Sequence, residues 1–269
     1  MFNKQAHAVR AKKHLGQHFL NDEQTAIQIV EALTSECTTQ NVLEIGPGMG
    51  VLTKYLLEKP DLKLSAIEVD KESIRWLNEH FPALQERLIE GDFLSLNLQQ
   101  LFPDKVSIIG NFPYNISSQI VFRIIENRDY VPLMVGMFQK EVGERIGASP
   151  GNKDYGILSV LTQAFYSVEY LFTVPAHVFT PPPNVKSGVI RMMRRETDYE
   201  VNEKDLFVTV KTAFNQRRKK LRNALSSFQV DDALLEEHQY INKRAEELSV
   251  KEFVHLANLI RQHGKNQRR

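Results

Sequence analysis

The chain predicts an open α/β sheet of buried parallel strands, followed by a small all-helical C-terminal domain. Three observations carry that expectation. Short apolar runs at 41–45, 63–68 and 106–110 are separated by stretches with helical spacing, the pattern of strand–helix–strand units. The first run enters a glycine-rich turn, Gly46-Pro47-Gly48-Met49-Gly50, and an amphipathic helix follows it. Around Arg194-Arg195-Glu196-Thr197-Asp198 the apolar strands give way to charge, and only helical patterns remain beyond. The expected domains are therefore 1–196 and 197–269.

Composition narrows the class. A chain of 269 residues with 42% hydrophobic content can bury a substantial core. It contains no apolar run long enough to cross a bilayer. Cys37 is the only cysteine, so an intrachain disulfide and a cysteine-based zinc site are both excluded. The first fifteen residues are basic and polar without an apolar core, unlike a secretory signal. A cytoplasmic location is expected.

In chain order, the N-terminal segment ends in His14-Leu15-Gly16-Gln17-His18-Phe19-Leu20. Phe19 and Leu20 can dock, Gly16 permits a turn, and Asn21 or Asp22 can cap a helix over 23–33. An arm packed back onto the body is expected. Strand 41–45, the glycine turn and helix 51–57 come next. Strand 63–68 ends in Glu68, strand 87–91 precedes Asp92, and strand 106–110 precedes Asn111-Phe112-Pro113-Tyr114. Helix 117–126, strand 131–138 and helix 139–146 continue the alternation. Turn chemistry fills 148–154 and predicts a mobile loop near the site. Helix 156–165 leads into two closing strands, 166–174 and 185–193. Between them lies His177-Val178-Phe179-Thr180-Pro181-Pro182-Pro183-Asn184, stiffened by three prolines. From Leu206 on, Phe207, Val210, Phe214, Leu221, Leu225 and Phe228 fall on one helical face. Lys219 points to the opposite face, Lys220 lies on one flank, and Lys211, Arg218 and Arg222 lie on the other. Shorter helices are expected around Leu234-Leu235 and over 253–260.

The glycine spacing separates two nucleotide chemistries. A dinucleotide fold uses Gly-x-Gly-x-x-Gly to face a pyrophosphate, whereas this turn reads Gly-x-Gly-x-Gly after Glu44. An acid beside the turn repels a pyrophosphate and suits a ligand carrying an ammonium group. S-adenosylmethionine carries one, together with a sulfonium. Gly46 and Gly48 would let the backbone approach it closely. Glu68, eighteen positions past Gly50, can accept from both ribose hydroxyls, and Asp92 can accept from the adenine amine. The plainer reading is a glycine-rich turn in an unrelated α/β protein.

Asn111-Phe112-Pro113-Tyr114 sits at the carboxyl end of a buried strand, where open α/β sheets bind ligands. The amide oxygen accepts a hydrogen bond, Tyr114 offers a flat face, and Pro113 restricts Phe112 to extended geometry. Such a cluster suits a planar group with an exocyclic amine. Phe179, held by its prolines, reads either as a second wall for a stacked base or as a hydrophobic plug. The alternative for the tetrapeptide is a simple strand-to-helix turn capped by Asn115 or Ser117.

Net charge is only +1, but it is unevenly spread. No acid precedes Asp22, while Lys4, Arg10, Lys12 and Lys13 do. None occurs over 206–230, against Lys211, Arg217, Arg218, Lys219, Lys220 and Arg222. Two basic segments in a nearly neutral chain fit local contact with a phosphate backbone, or alternatively a solvated helix face and a loose tail.

With these residues assembled, the chain resembles the small-subunit (16S) ribosomal RNA adenine N6,N6-dimethyltransferases along essentially its whole length. The resemblance rests on five segments: 14–20, 44–50, 111–114, Phe179-Thr180-Pro181-Pro182-Pro183-Asn184-Val185, and Phe214-Asn215-Gln216-Arg217-Arg218-Lys219-Lys220-Leu221-Arg222-Asn223. His18 stands where many relatives have asparagine, and Phe112 where leucine is common. The resemblance implies a Rossmann-like S-adenosylmethionine-dependent methyltransferase sheet with a helical RNA-binding domain. It also implies cofactor contacts from His18, Leu20, Gly46, Glu68, Asp92 and Asn111. The implied activity is dimethylation of two adjacent adenosines in the 3′-terminal hairpin of the small-subunit RNA. The enzyme would act as a monomer on the assembling 30S subunit, without a metal. Asn111, Pro113, Tyr114 and Phe179 would form the catalytic set. Rival readings are a large-subunit RNA adenine methyltransferase conferring antibiotic resistance, a DNA or protein-amide methyltransferase, and a non-catalytic RNA-binding assembly factor.

Overall fold

The computed structural model describes residues 9–195 and 199–264. The chain forms two compact units. One comprises the described residues up to Gly143 together with Glu169–Arg194, the other Glu144–Val168 together with the described residues from Arg195 on.

The first unit carries a sheet made of β2 (Asn41–Ile45), β3 (Lys63–Glu68), β4 (Leu88–Glu90), β5 (Val106–Asn111), β6 (Leu133–Gln139), β9 (Ser187–Arg194) and, from Glu169 on, β7 (Tyr166–Val174). Their order is β4-β3-β2-β5-β6-β9-β7. From β4 to β6 every neighbouring pair is parallel, and β9 runs antiparallel to β6. Parallel strands are covered on both faces, which is why β5 and β6 read as unbroken apolar runs and lie almost wholly buried. Two-residue strands β1 (Phe19–Leu20) and β8 (Phe179–Thr180) pair separately as an antiparallel ribbon.

Helices α1 (Glu23–Thr34) and α2 (Val51–Leu57) bury Ile29, Val30, Leu33, Leu52 and Leu56 in one apolar cluster with Val135, Val189, Leu20 and Phe179. Each such side chain contributes about 1.5–3 kcal/mol when fully buried. Asp22 starts α1 by accepting from Thr25 N at 2.9 Å. Three helices, α4 (Leu98–Leu101), α5 (Ser117–Glu126) and α6 (Lys140–Ile146), continue the alternation. No element is expected between Glu68 and Arg87. There the structure has α3 (Lys71–His80), capped by Asp70, with Ser73 and Leu77 turned inward.

Because β2 lies between β3 and β5, the connections leave it in opposite directions. A crevice opens at the carboxyl ends of those strands, where this fold class binds ligands.

In the second unit α7 (Ile157–Phe165), α8 (Glu203–Asn215) and α11 (Val250–His263) pack on one another, and α9 (Leu221–Ala224) and α10 (Asp232–Glu237) complete it. Two expectations are corrected here. Residues 144–168 cluster with the helical unit, because α7 buries its apolar face on α8 and α11. The 194–198 stretch falls partly outside the described residues, since 196–198 are not described. The long basic helix also stops early. α8 ends at Asn215, a turn follows, and α9 begins only at Leu221. Its buried stripe is Leu206, Thr209, Val210 and Ala213, whereas Phe207 is 41% exposed. Packing on α11, including Phe214 stacked on Phe253 at 5.6 Å, selects that stripe over the one read from periodicity. The loop at 148–154 is likewise tied down: Gly151 N donates to Glu246 O at 2.7 Å and Arg217 binds the Lys153 carbonyl at 2.5 Å.

Candidate active site

The crevice of the first unit holds a cavity walled by the N-terminal arm from Leu15 to Leu20, the glycine turn from Gly46 to Met49, Glu44, Glu68 and Asn111 to Tyr114. The turn bends sharply enough to clear it only because Gly46 and Gly48 take φ of 66° and 58°, a region side chains disfavour.

Glu44 is 1% exposed and accepts from Thr53 Oγ1 at 2.6 Å. Burial pushes its carboxyl up to about 7, against the Thr53 hydrogen bond and with a further push from the Glu68 charge. Glu68 is also buried; its Oε2 accepts from Gly48 N at 3.1 Å and its Oε1 from Val69 N and Asp70 N at 2.9 and 3.0 Å. Burial outweighs these bonds and raises its pKa. The two carboxylates end adjacent strands, and the described residues lining the cavity include no lysine or arginine. That donor set fits a cationic ligand with hydroxyls and rejects a pyrophosphate.

Asn111 ends β5 with its Nδ2 donating to the His18 carbonyl at 2.9 Å, which leaves its Oδ1 as the acceptor. The His18 carbonyl is thereby tied to the end of β5. Its ring donates from Nδ1 to Pro181 O at 2.7 Å and stacks on Tyr114 with centroids 5.4 Å apart. The Tyr114 hydroxyl shares a 2.6 Å hydrogen bond with Ser187 Oγ, while burial raises its pKa. Leu20, 4% exposed, closes the floor. Pro113 lines the cavity too, its carbonyl accepting from Ile116 N at 3.3 Å.

Two expected residues are not among those lining this cavity. Asp92 is exposed, is absent from the cavity wall and accepts from Leu94 N at 2.9 Å, capping a short 3-10 turn. Phe179 is 2% exposed in the apolar cluster, paired across the ribbon with Leu20, and does not line the cavity. The second-wall expectation is thereby corrected: the ring would have to leave the core to reach a base.

Of the basic residues, Lys211, Arg218, Lys219, Lys220 and Arg222 are exposed in the helical unit. Arg222 pairs with Asp232 at 2.9 Å, and Lys220 donates to Asn242 Oδ1 at 2.8 Å. Arg217 is tied into the fold, its guanidinium bound to Glu246 at 2.6 Å and to the Lys153 carbonyl.

The supports of the site were not expected from the sequence. Phe112 is 1% exposed, edge-on to Phe138, and its ring occupies the space above Gly110 and Gly136, which pair across β5 and β6. A Cβ on Gly136 would lie 2.2 Å from that ring. Glycines inside two central apolar strands were the available signal for close approach. Thr53 and Ser187 carry no local signal; the latter lies 73 positions from Tyr114. Among the described residues no group of three or more His, Cys, Asp or Glu side chains is placed to hold a metal ion, and no helix is long and apolar enough to cross a membrane.

Residues 8–262 match the family profile described as ribosomal RNA adenine dimethylase. A relative from Cytophaga hutchinsonii named ribosomal RNA small subunit methyltransferase A is 55% identical over 253 residues, covering 94% of this chain and 98% of the relative. One of the same name from Flavobacterium johnsoniae is 55% identical over 259 residues, covering 95% and 98%. Among solved structures, a dimethyladenosine transferase from Plasmodium falciparum superposes with a TM-score of 0.74 at 26% identity, over 89% of this chain and 96% of that one. The 23S rRNA methyltransferase ErmE, at 23% identity and a TM-score of 0.69 over 91% of this chain and 100% of its own, shares the fold. With the profile spanning nearly the whole chain and relatives matched end to end, the chain belongs to the ribosomal RNA adenine dimethylase family.

Proposed function

We propose that the chain transfers methyl groups to the N6 amino groups of adenosines in small-subunit ribosomal RNA, two to each base. The observation that carries this reading is the Asn111 amide. Its nitrogen is committed to the His18 carbonyl, which leaves its oxygen as the acceptor on a residue that lines a cavity whose described lining holds carboxylates and no lysine or arginine. S-adenosylmethionine, when bound, supplies an activated methyl group on a sulfonium. Glu44 and Glu68 would hold its ammonium and ribose, and Gly46 and Gly48 would let the backbone approach. Asn111 Oδ1 and the Phe112 carbonyl would accept the two amine hydrogens, with Pro113 holding that carbonyl in extended geometry. The hydrogen bonds favour pyramidal nitrogen, whose lone pair is otherwise delocalised into the ring. Tyr114, fixed by Ser187, would carry the base, and in-line placement supplies most of the acceleration. The alkylated nitrogen sheds its extra proton to solvent and keeps one hydrogen for a second round.

The finer reading is that the targets are two adjacent adenosines in the 3′-terminal hairpin, met on the assembling 30S subunit in the cytoplasm by a monomer. Lys211, Arg218, Lys219, Lys220 and Arg222 would bind phosphates. The large-subunit alternative is disfavoured, because the relatives sharing half the sequence carry the small-subunit name while ErmE shares 23%. Primer extension across the hairpin in cells lacking the protein tests this. Loss of the two stops, and their return with the intact chain but not with Asn111→Ala, is expected. Stops that persist in its absence would overturn the assignment.

A further inference from the structure

One buried titratable group has no part in the chemistry above. Asp70 is 2% exposed, yet its carboxylate is fully engaged. One oxygen accepts from Glu72 N at 3.1 Å and from Lys12 Nζ, the other from Gln17 Nε2 at 3.1 Å and Ser73 Oγ at 3.3 Å. A helix N-cap requires only the local bonds. The other two arrive from the N-terminal arm, more than fifty positions upstream. Gln17 Oε1 in turn accepts from Lys12 N at 2.8 Å, so both side chains leave one closed turn and meet at one carboxylate. Burial alone would raise the Asp70 pKa, but the bonds from Lys12 and Gln17 outweigh it and hold the carboxyl below its ordinary value.

Beyond this anchor the arm forms one wall of the cavity from Leu15 to Leu20. It is fastened again at the end of β5, where the His18 carbonyl accepts from Asn111 and the His14 carbonyl from Asn115 Nδ2 at 3.3 Å. Asp70 also donates its backbone N–H to Glu68. The arm is thus a strap tied to the ends of two strands, with the cavity beneath it.

We propose that Asp70 is a positioning residue that fastens the N-terminal arm across the cofactor cavity, so that S-adenosylmethionine and its demethylated product exchange only after Lys12 and Gln17 release it. The proposal rests on the reading of this cavity as the cofactor site. Asp70→Asn tests it, because asparagine still caps the helix while the buried charge on Lys12 is gone and only the more exposed Glu72, 3.3 Å away, still pairs with it. Lys12→Met keeps the aliphatic stem and removes the other partner.

Trp76, the one tryptophan of the chain, donates to Met49 O at 3.1 Å on the glycine turn and provides a fluorescence reporter for stopped-flow release of S-adenosylhomocysteine. Each single variant should release it roughly tenfold faster than the parent, and the double variant no faster than Lys12→Met, since the Lys12–Asp70 bond can be broken only once. Melting temperatures should fall slightly at most, because the arm stays fastened at Asn111 and Asn115. Parent-like release in both singles, additive effects in the double, or release that quickens only in proportion to a large loss of melting temperature would overturn the strap. Glu68→Ala serves as the separate arm. If it weakens cofactor binding while the strap variants behave like the parent, only the strap fails; if it leaves binding unchanged, the cavity assignment fails and takes the strap with it.

Discussion

The cavity at the strand ends and the basic segment of the helical unit are organised in opposite ways. In the cavity, Glu44, Glu68, Asn111 and Tyr114 are gathered from three strand ends and each is held by a named partner. In the basic segment, Arg218, Lys219 and Lys220 are contiguous in sequence and exposed, while the less exposed Arg217 beside them is tied to Glu246. Chemistry that depends on ångström placement is built on backbone and buried supports. Attraction to a polyanion needs only charge density in solvent. The difference teaches that neighbouring residues of one type divide by burial, not by sequence.

The largest effect expected is on stability. Phe179→Ala should cost about 3–5 kcal/mol, because it empties a site in the apolar cluster. A thermal melt gives the loss, and single-turnover transfer on the same preparation gives its meaning. Near-parent melting with slow transfer would move Phe179 from the core to the base-binding set. Asn111→Ala should lower turnover by about 10²–10³ at saturating RNA, comparable to removing one positioned polar group from a preorganised site. Cofactor affinity should change far less; equal losses in both would make Asn111 a binding residue only.

Replacing Arg218, Lys219, Lys220 and Arg222 with alanine should weaken RNA binding on the order of a hundredfold at low salt. The salt slope should fall by roughly one unit for each phosphate that is no longer neutralised. Arg217→Ala should instead leave the slope alone and lower the melting temperature, since its guanidinium ties Glu246 to the 148–154 loop. The same slope for the quadruple variant and the parent would erase the contrast between the two regions.

The smallest effect is a pH dependence. The Glu44 carboxyl is raised by burial to about 7, so its ionised form dominates only above that value. An ammonium ligand binds the ionised form, so cofactor affinity should rise about tenfold from pH 6 to pH 8. The stability contribution has the opposite sign: a raised carboxyl favours the folded protein below about pH 4.5 and loses that contribution as pH rises through about 7. Calorimetry in buffers of different ionisation enthalpy checks the proton release; a flat affinity profile would remove Glu44 from the ligand's charge recognition.

Much of this molecule was legible in the linear chain. Strands β2, β3 and β7 and helices α2 and α5 have the expected bounds, because period-2 or 3.6 apolar patterns and turn residues are local signals. The glycine turn, Glu68 and the Asn111–Tyr114 segment converge on one cavity for the same reason: strand ends in parallel sheets gather on one edge. What the chain alone left undecided lies in pairings between distant positions. The buried stripe of α8 was set by its packing on α11, the burial of Phe179 by a two-residue ribbon with Leu20, and the tethering of Arg217 by Glu246. Asp70, Ser187 and the Gly110–Gly136 clearance beneath Phe112 likewise depend on partners many residues away. Periodicity reports which face of an element is apolar. Which side chain finally meets which partner depends on pairings closed by folding, and those have no period to read.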